Sequence, residues 1–380
     1  MEQAVLYYAT NRRHIGSDRW QPTGYGSEVS KDGSENLRFG MVSLDYDATK
    51  AASYLTKDCG FGAGSGDALA AYLAKQRSAS KIEAFEEKLD KDVSDTKQAK
   101  AKFGSSRMFG ELQDLMRKGA DVLVFIHGFN VSWWGAVSSA LALQFMLNRD
   151  RGAAAKPVYV VLFTWPSDGK AIPYWSYFSD RSDAQSSGAA VGRGFLKLRD
   201  YLIEARRADS EQGRDPCRQA IHLLCHSMGN YVLQQALART EAFSTSGKPP
   251  RIFEQIFLCS PDVADDVLNP DQPMARLPDL AAQISIYHNR GDLAMPVSDY
   301  TKGNTDRLGW RGASRPAQLD GRVHQVDCSG IVSGFVEHSY YANGRVNDDI
   351  RRSIDDVPAD DVSRNREAIR HGWPNVWRLR

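Results

Sequence analysis

The stretch HLLCHSMGN, residues 222–230, runs apolar residues straight into Ser227 and follows it with a glycine two positions on. A serine hydroxyl is a poor nucleophile at neutral pH and needs a base to take its proton. A histidine can do this when a carboxylate fixes its tautomer and stabilises the imidazolium. A strand that turns sharply into a helix around an exposed serine suits this chemistry, because the turn lifts the hydroxyl clear of the sheet. Cys225 stands two residues before Ser227, where the usual pattern has glycine, but it is compact enough to leave the turn feasible.

One carboxylate and one histidine follow in the chain order Ser, Asp, His. Asp292 lies in QISIYHNRGDLAM, just past the end of an apolar run, where open α/β sheets place functional groups. His338 lies in SGFVEHSYY, a loop expected between the run RVHQVDCS and a helix starting near Asn347. Taken singly, Asp292 reads as a turn aspartate and His338 as a surface residue. Behind an elbow serine they read as acid and base. Asp262, in CSPDVADDVL, is the second choice for the acid and reads equally as a helix N-cap; Asp265 and Asp266 are further away. His226 adjoins the serine, so its side chain is expected to point away, as a packed or hydrogen-bonded neighbour.

An oxyanion needs two backbone N–H donors. One candidate is Met228 N–H, at the start of the elbow helix where the dipole also favours negative charge. The other is Phe129 N–H in IHGFNVSWW, where His127-Gly128 ends a buried run. Around this end fall Trp133, Trp134, Trp165, Tyr174, Trp175 and Tyr177, which are candidate walls of an apolar substrate pocket and, taken one by one, equally core or rim packing. Such walls argue against a small, strongly anionic substrate.

These residues need a scaffold of short strands alternating with helices, and the sequence has that pattern. Strand candidates are 4–10, 122–127, 158–165, 220–226, 251–260 and 283–289. VLVFI has no polar alternation, as expected of a central parallel strand buried on both faces. Helix candidates are 105–119, 134–150, 187–207 and 228–239. The fold class is therefore α/β, with a mostly parallel central sheet and helices on both faces. A single domain over 1–380 is expected. It would carry a peripheral charged helical insertion around 60–104 (KIEAFEEKLDKDVSDTKQAKAKF) and a docked C-terminal tail around 355–380 that closes in WPNVWRLR.

Hydrophobic residues make up 42% and charged residues 25%, and the net charge of +1 gives no electrostatic case for nucleic acid as a partner. No apolar run approaches the roughly 18 residues of a membrane span, and the N-terminus lacks a signal peptide's apolar core. Five cysteines without CxxC spacing suggest thiols rather than disulfides or metal ligands. The expected compartment is the cytoplasm.

The chain also resembles the α/β-hydrolases, and within them a bacterial esterase/lipase-like branch of unassigned function. YYATNR (7–12), VFIHGFNVSWWGAV (124–137), LFTWPSDG (162–169), YFSDRSDAQSS (177–187), HLLCHSMGNYVLQQAL (222–237), CSPDVADDVL (259–268), YHNRGDLAMPVSD (287–299) and EHSYY (337–341) carry the resemblance, in the family's order. It implies Ser227 as nucleophile, Asp292 as acid and His338 as base, with no metal or organic cofactor. Trp133 and Trp134 depart from it, since such sequences tend to carry a smaller aromatic and a polar residue there. The segment after the 251–260 strand is short for a helical lid, so the YWSYFSD loop is expected to act as a flap. The leading expectation is a serine carboxylesterase acting on a small-molecule or lipid-like ester through an acyl-enzyme. The alternatives are a lipase or phospholipase, a thioesterase or an amidase using the same triad, and a non-catalytic binding module on the same fold.

Overall fold

In the computed structural model the described residues are 1–86, 104–152, 155–167, 173–242, 251–292, 294, 306–332, 338–369, 373 and 375–380. Thirteen strands form along them: β1 (Glu2–Thr10), β2 (Arg12–Ile15), β3 (Gly24–Val29), β4 (Arg38–Tyr46), β5 (Ser80–Ala84), β6 (Asp121–Ile126), β7 (Val158–Thr164), β8 (Ile221–His226), β9 (Phe253–Cys259), β10 (Ala281–His288), β11 (Val323–Asp327), β12 (Arg366–Ala368) and β13 (Val376–Leu379). Eleven of them make one sheet in the order β12-β13-β11-β10-β9-β8-β6-β7-β1-β4-β5, while β2 and β3 form a separate hairpin. The pairs from β13 through β11, β10, β9, β8, β6 and β7 to β1 are all parallel, and only the edge pairs β1–β4, β4–β5 and β12–β13 are antiparallel.

The apolar run of β6 puts it beside β7 and β8 near the middle, with Leu123, Phe125 and Ile126 almost without exposed surface. The chain leaves β6 for β7 on one side and returns to β8 on the other. The crevice beyond the ends of β6 and β8 is thus a topological switch point, where open α/β sheets bind ligands.

Among the described residues seven longer helices cover the sheet: α1 (Ala48–Leu55), α2 (Gly66–Lys75), α3 (Gly104–Arg117), α4 (Trp133–Asn148), α5 (Pro173–Glu211), α6 (Gly229–Ala242) and α7 (Gly344–Ile354). One apolar cluster joins Met108 of α3, Phe195 of α5 and Leu233 of α6 to one sheet face. The other joins Leu69 of α2, Leu141 of α4 and Ile350 of α7 to the opposite face. Ser132 caps α4 by accepting the Gly135 N–H at 3.2 Å. No helix among the described residues is long and apolar enough to cross a membrane.

Three expectations need correction. The YWSYFSD segment is no loop: α5 begins at Pro173, a residue preorganised for the first helical turn, and runs 39 residues. The start of KIEAFEEK is the edge strand β5 rather than a helix, because its backbone pairs with β4; residues 87–103 lie outside the described residues. The segment from 60 to 86 is also no peripheral appendage. Phe61, Leu69, Leu73 and Phe85 are all buried, and Ser65 bridges to Asn343.

The C-terminal residues extend the sheet, β13 running parallel to β11 with Trp377 buried. Asp349 of α7 anchors them. It accepts Arg364 Nε at 2.9 Å and Arg366 Nη2 at 2.6 Å. Burial alone would raise the Asp349 carboxyl, but the two guanidinium groups outweigh it and hold the group below its ordinary value.

Candidate active site

Ser227 follows β8 with φ 51°, a left-handed conformation that is costly for a residue with a Cβ. The surroundings fix it there. Its N–H donates to Cys259 O at 2.9 Å, and its carbonyl accepts the Asn230 N–H at 3.0 Å and the Asp262 N–H at 3.2 Å. Gly229 makes the turn possible, because a Cβ there would lie 2.6 Å from Ile126 O and 2.7 Å from His127 O. Gly128 brings the loop after β6 against the serine; its own Cβ would sit 2.9 Å from Ser227 Cβ.

Beyond β10, Asp292 is buried and its Oδ2 lies 2.7 Å from His338 Nδ1. Its Oδ1 accepts the Ala294 N–H at 3.0 Å, and its own N–H donates to Asn289 O at 3.1 Å. The carboxylate is therefore oriented by the turn that carries it. The His338 carbonyl is held twice, by the Ser260 hydroxyl at 3.0 Å and by His226 Nε2 at 3.1 Å. A carbonyl only accepts, so His226 carries its proton on Nε2. Burial first, and then the neighbouring His338, push the His226 imidazole well below its ordinary value and keep it neutral. Its ring packs 4.7 Å from His338 and 4.8 Å from Tyr341.

Asp262 goes elsewhere. Tyr177 donates its hydroxyl to Asp262 Oδ2 at 2.7 Å, and Arg307 Nε lies 3.6 Å from Oδ1. The fold thus brings Asp292, not Asp262, to His338.

The loop after β6 is pinned just past Phe129. The Asn130 N–H donates to Asp180 Oδ2 at 3.1 Å and the Val131 N–H to Ser167 Oγ at 3.1 Å. Among the described residues neither the Phe129 N–H nor the Met228 N–H has a hydrogen-bond partner. Both remain available to an incoming oxygen.

The candidate pocket rings divide. Trp133 is buried in the core, edge-on to Tyr8 at 5.0 Å and tilted against Tyr25 at 4.6 Å. Trp165 is fully buried, stacked on His127 at 5.3 Å, and donates Nε1–H to His127 O at 2.9 Å. Neither offers surface to a ligand, because packing against the sheet consumes the ring. Trp134 is half-buried against the same core as Trp133. Phe129 packs edge-on to Tyr177 at 5.5 Å. Tyr174 and Trp175 lie in the first turn of α5, and their side chains are outside the described residues.

Sequence reasoning passed over Arg12, Asp180 and Ser260. Arg12 is the one with a usable signal, an arginine directly after a strand in YYATNR; it is 1% exposed. Among the described residues no group of three or more His, Cys, Asp or Glu could hold a metal ion.

No curated protein matches this chain. The family model described as "Alpha/beta hydrolase of unknown function (DUF900)" matches residues 108–347, a span that contains Ser227, Asp292 and His338. That span is more than half of the chain, which therefore belongs to this α/β-hydrolase family.

Proposed function

We propose that the protein is a serine hydrolase that cleaves carboxylic esters through an acyl-enzyme. The observation that carries this reading is the 2.7 Å His338–Asp292 pair, whose histidine packs 4.7 Å from His226, the residue before a serine held at φ 51°. Asp292 accepts the proton-bearing Nδ1 of His338, which leaves Nε2 as the basic nitrogen. Ser227 Oγ attacks the ester carbonyl carbon as its proton passes to His338 Nε2. The carbonyl oxygen becomes an oxyanion that the Phe129 and Met228 N–H groups bind. Collapse expels the alkoxy group, which leaves as the alcohol with the proton from His338. A water then adds to the acyl carbon by the same route, releasing the carboxylic acid and restoring Ser227.

The test is intact-mass spectrometry after a fluorophosphonate, on the wild type and on Ser227→Ala, followed by p-nitrophenyl esters of rising chain length. One adduct that vanishes in the variant is expected. A folded wild type without an adduct would sink the reading and favour a binding module. Among enzymes with this triad, thioester and amide substrates run beside the ester series separate esterase from thioesterase and amidase.

A further inference from the structure

Four polar side chains behind the loop after β6 are buried: Arg12, His127, Thr164 and Ser167. Their hydrogen bonds can be given directions. Arg12 Nε lies 2.9 Å from Thr164 Oγ1, Thr164 Oγ1 lies 2.9 Å from His127 Nε2, and His127 Nδ1 lies 2.8 Å from Gly128 O. An arginine N–H can only donate and a carbonyl can only accept. His127 Nδ1 therefore carries the proton. Burial first, and then the charge on Arg12, push this imidazole down to about 3, so it is neutral and its Nε2 can only accept. The Thr164 hydroxyl must then accept from Arg12 and donate to His127. Every proton in the chain points the same way, from the cation to Gly128 O.

Gly128 O and the Phe129 N–H belong to one peptide unit, and in a trans peptide they face opposite sides. The relay ends on the carbonyl side, and the N–H on the other side has no partner among the described residues. A donor on a peptide carbonyl polarises the unit and strengthens its N–H, since hydrogen bonds in series reinforce one another. Arg12 also fixes the frame of the loop. Its Nη2 donates to Val131 O at 2.7 Å, and its Nη1 donates to Gly26 O at 3.0 Å and Ser167 O at 3.2 Å.

We propose that Arg12, Thr164 and His127 are positioning residues, a directed relay that aims and polarises the Gly128–Phe129 peptide as an oxyanion donor. This rests on the reading of Ser227 as nucleophile. The relay itself touches no substrate and acts only through the peptide.

The test compares the rate of phosphonylation by a fluorophosphonate in wild type, Thr164→Val, Thr164→Ser and Ser227→Ala, because that reaction also develops an anionic oxygen in the hole. Thr164→Val keeps the volume and removes the hydroxyl. It is expected to slow labelling about tenfold and to lower the melting temperature, since buried Arg12 Nε and His127 Nε2 each lose a partner. On a p-nitrophenyl ester it should lower kcat while KM holds. Thr164→Ser restores the hydroxyl and should recover the rate to within about twofold. Should Thr164→Val not fold, His127→Gln takes its place, as its amide reaches the Nε2 position and leaves Gly128 O without the Nδ1 donor. Labelling of Thr164→Val (or His127→Gln) at the wild-type rate, with wild type modified at Ser227, would overturn the relay and leave the nucleophile standing. An unlabelled wild type, or a labelled Ser227→Ala, would overturn the nucleophile and the relay with it.

Discussion

Among the described residues two histidine–aspartate pairs lie within 4.0 Å, one at each end of the sheet, and they differ in everything that matters to chemistry. His338 and Asp292 lie 2.7 Å apart beyond the C-terminal ends of the strands, and the histidine side chain keeps 24% of its surface exposed. His222 and Asp121 lie 3.7 Å apart near the N-terminal ends of β8 and β6, and the histidine side chain is 0% exposed. Both ring nitrogens of His222 are without a hydrogen-bond partner among the described residues. The first pair shares its end of the sheet with Ser227 at φ 51°, Ser260 at φ 43° and Asn130 at φ 58°, each just beyond the end of a strand. The second has an apolar cavity of about 490 Å³ near it, lined by Val122, Leu202, Ile221 and Phe253 among others. Strands of six residues separate the two ends by roughly 20 Å, so that cavity cannot serve Ser227. Among the described residues the other non-glycine positions at positive φ are Asp150, Asp271, Asp356 and Asn365, residue types that take this conformation at little cost, which sets Ser227 and Ser260 apart.

The largest effect should come from the serine. Ser227→Ala is expected to lower ester turnover by about 10⁴-fold or more without unfolding the protein. The same position also tests the strain. Ser227→Gly should be more stable than Ser227→Ala by about 1 kcal/mol, read from thermal melts, because glycine adopts φ near 50° freely. Equal stability of the two would mean that the elbow is not strained.

The two pairs can be set against each other directly. Asp292→Asn should cost about 10⁴-fold in kcat, since an amide cannot hold His338 in the required tautomer. His222→Leu should leave kcat within about twofold but cost about 1–3 kcal/mol of stability, because it takes the imidazole 3.7 Å away from the buried Asp121 carboxylate, which keeps the Ala220 N–H at 2.9 Å. Loss of turnover in a folded His222→Leu would place chemistry at the wrong end of the sheet in this account.

The contrast also explains what could be read from the chain alone. The central strands announce themselves, because VLVFI and IHLLC are apolar on both faces and only a buried parallel strand tolerates that. The edge strands do not: β5 begins inside a charged run, and only its pairing with β4 makes it a strand. The start of α5 was misread because its aromatic, polar opening has no clean helical period. Ser227, Asp292 and His338 each have a local signature, a strand end followed by a turn. Of the relay residues only Arg12 has a local cue, an arginine just after a strand; the three come from strand ends 152 and 115 residues apart and meet only in the sheet. Position after strands leaves Trp133 and Trp165 open to pocket or core alike, and the depth at which each ring settles is decided by its partners.

Acid should act through histidines at both ends of the sheet. Burial, reinforced by Arg12, holds His127 at about 3; burial, reinforced by Arg366 and Arg364, holds His324 at about 4. His226 and His288 are lowered as well, chiefly by burial. In the unfolded chain these imidazoles take up protons near pH 6.5. Between that pH and their folded values the unfolded state binds more protons, so stability falls as pH falls. The contribution is complete above pH 6.5 and declines by up to about 1.4 kcal/mol per pH unit for each such imidazole. Melting temperatures at pH 7, 6 and 5 should fall in sequence. A flat profile would mean that the histidines gain protons inside the fold.

The smallest effect belongs to Cys225, the residue beneath the elbow where glycine is usual. Its side chain is fully buried on β8, within the apolar cluster that also holds Met228 and Leu258. Burial pushes its thiol well above the ordinary value, so it is no nucleophile. Its part is to fill space. Cys225→Ala should cost about 1 kcal/mol from the lost sulfur contacts and leave the rate of fluorophosphonate labelling unchanged. Cys225→Gly should cost more, since it removes more volume and loosens the strand just before a strained turn. If Cys225→Gly instead raised stability, the thiol would be crowding the elbow, and the strain at Ser227 would come from the residue beneath it rather than from the turn.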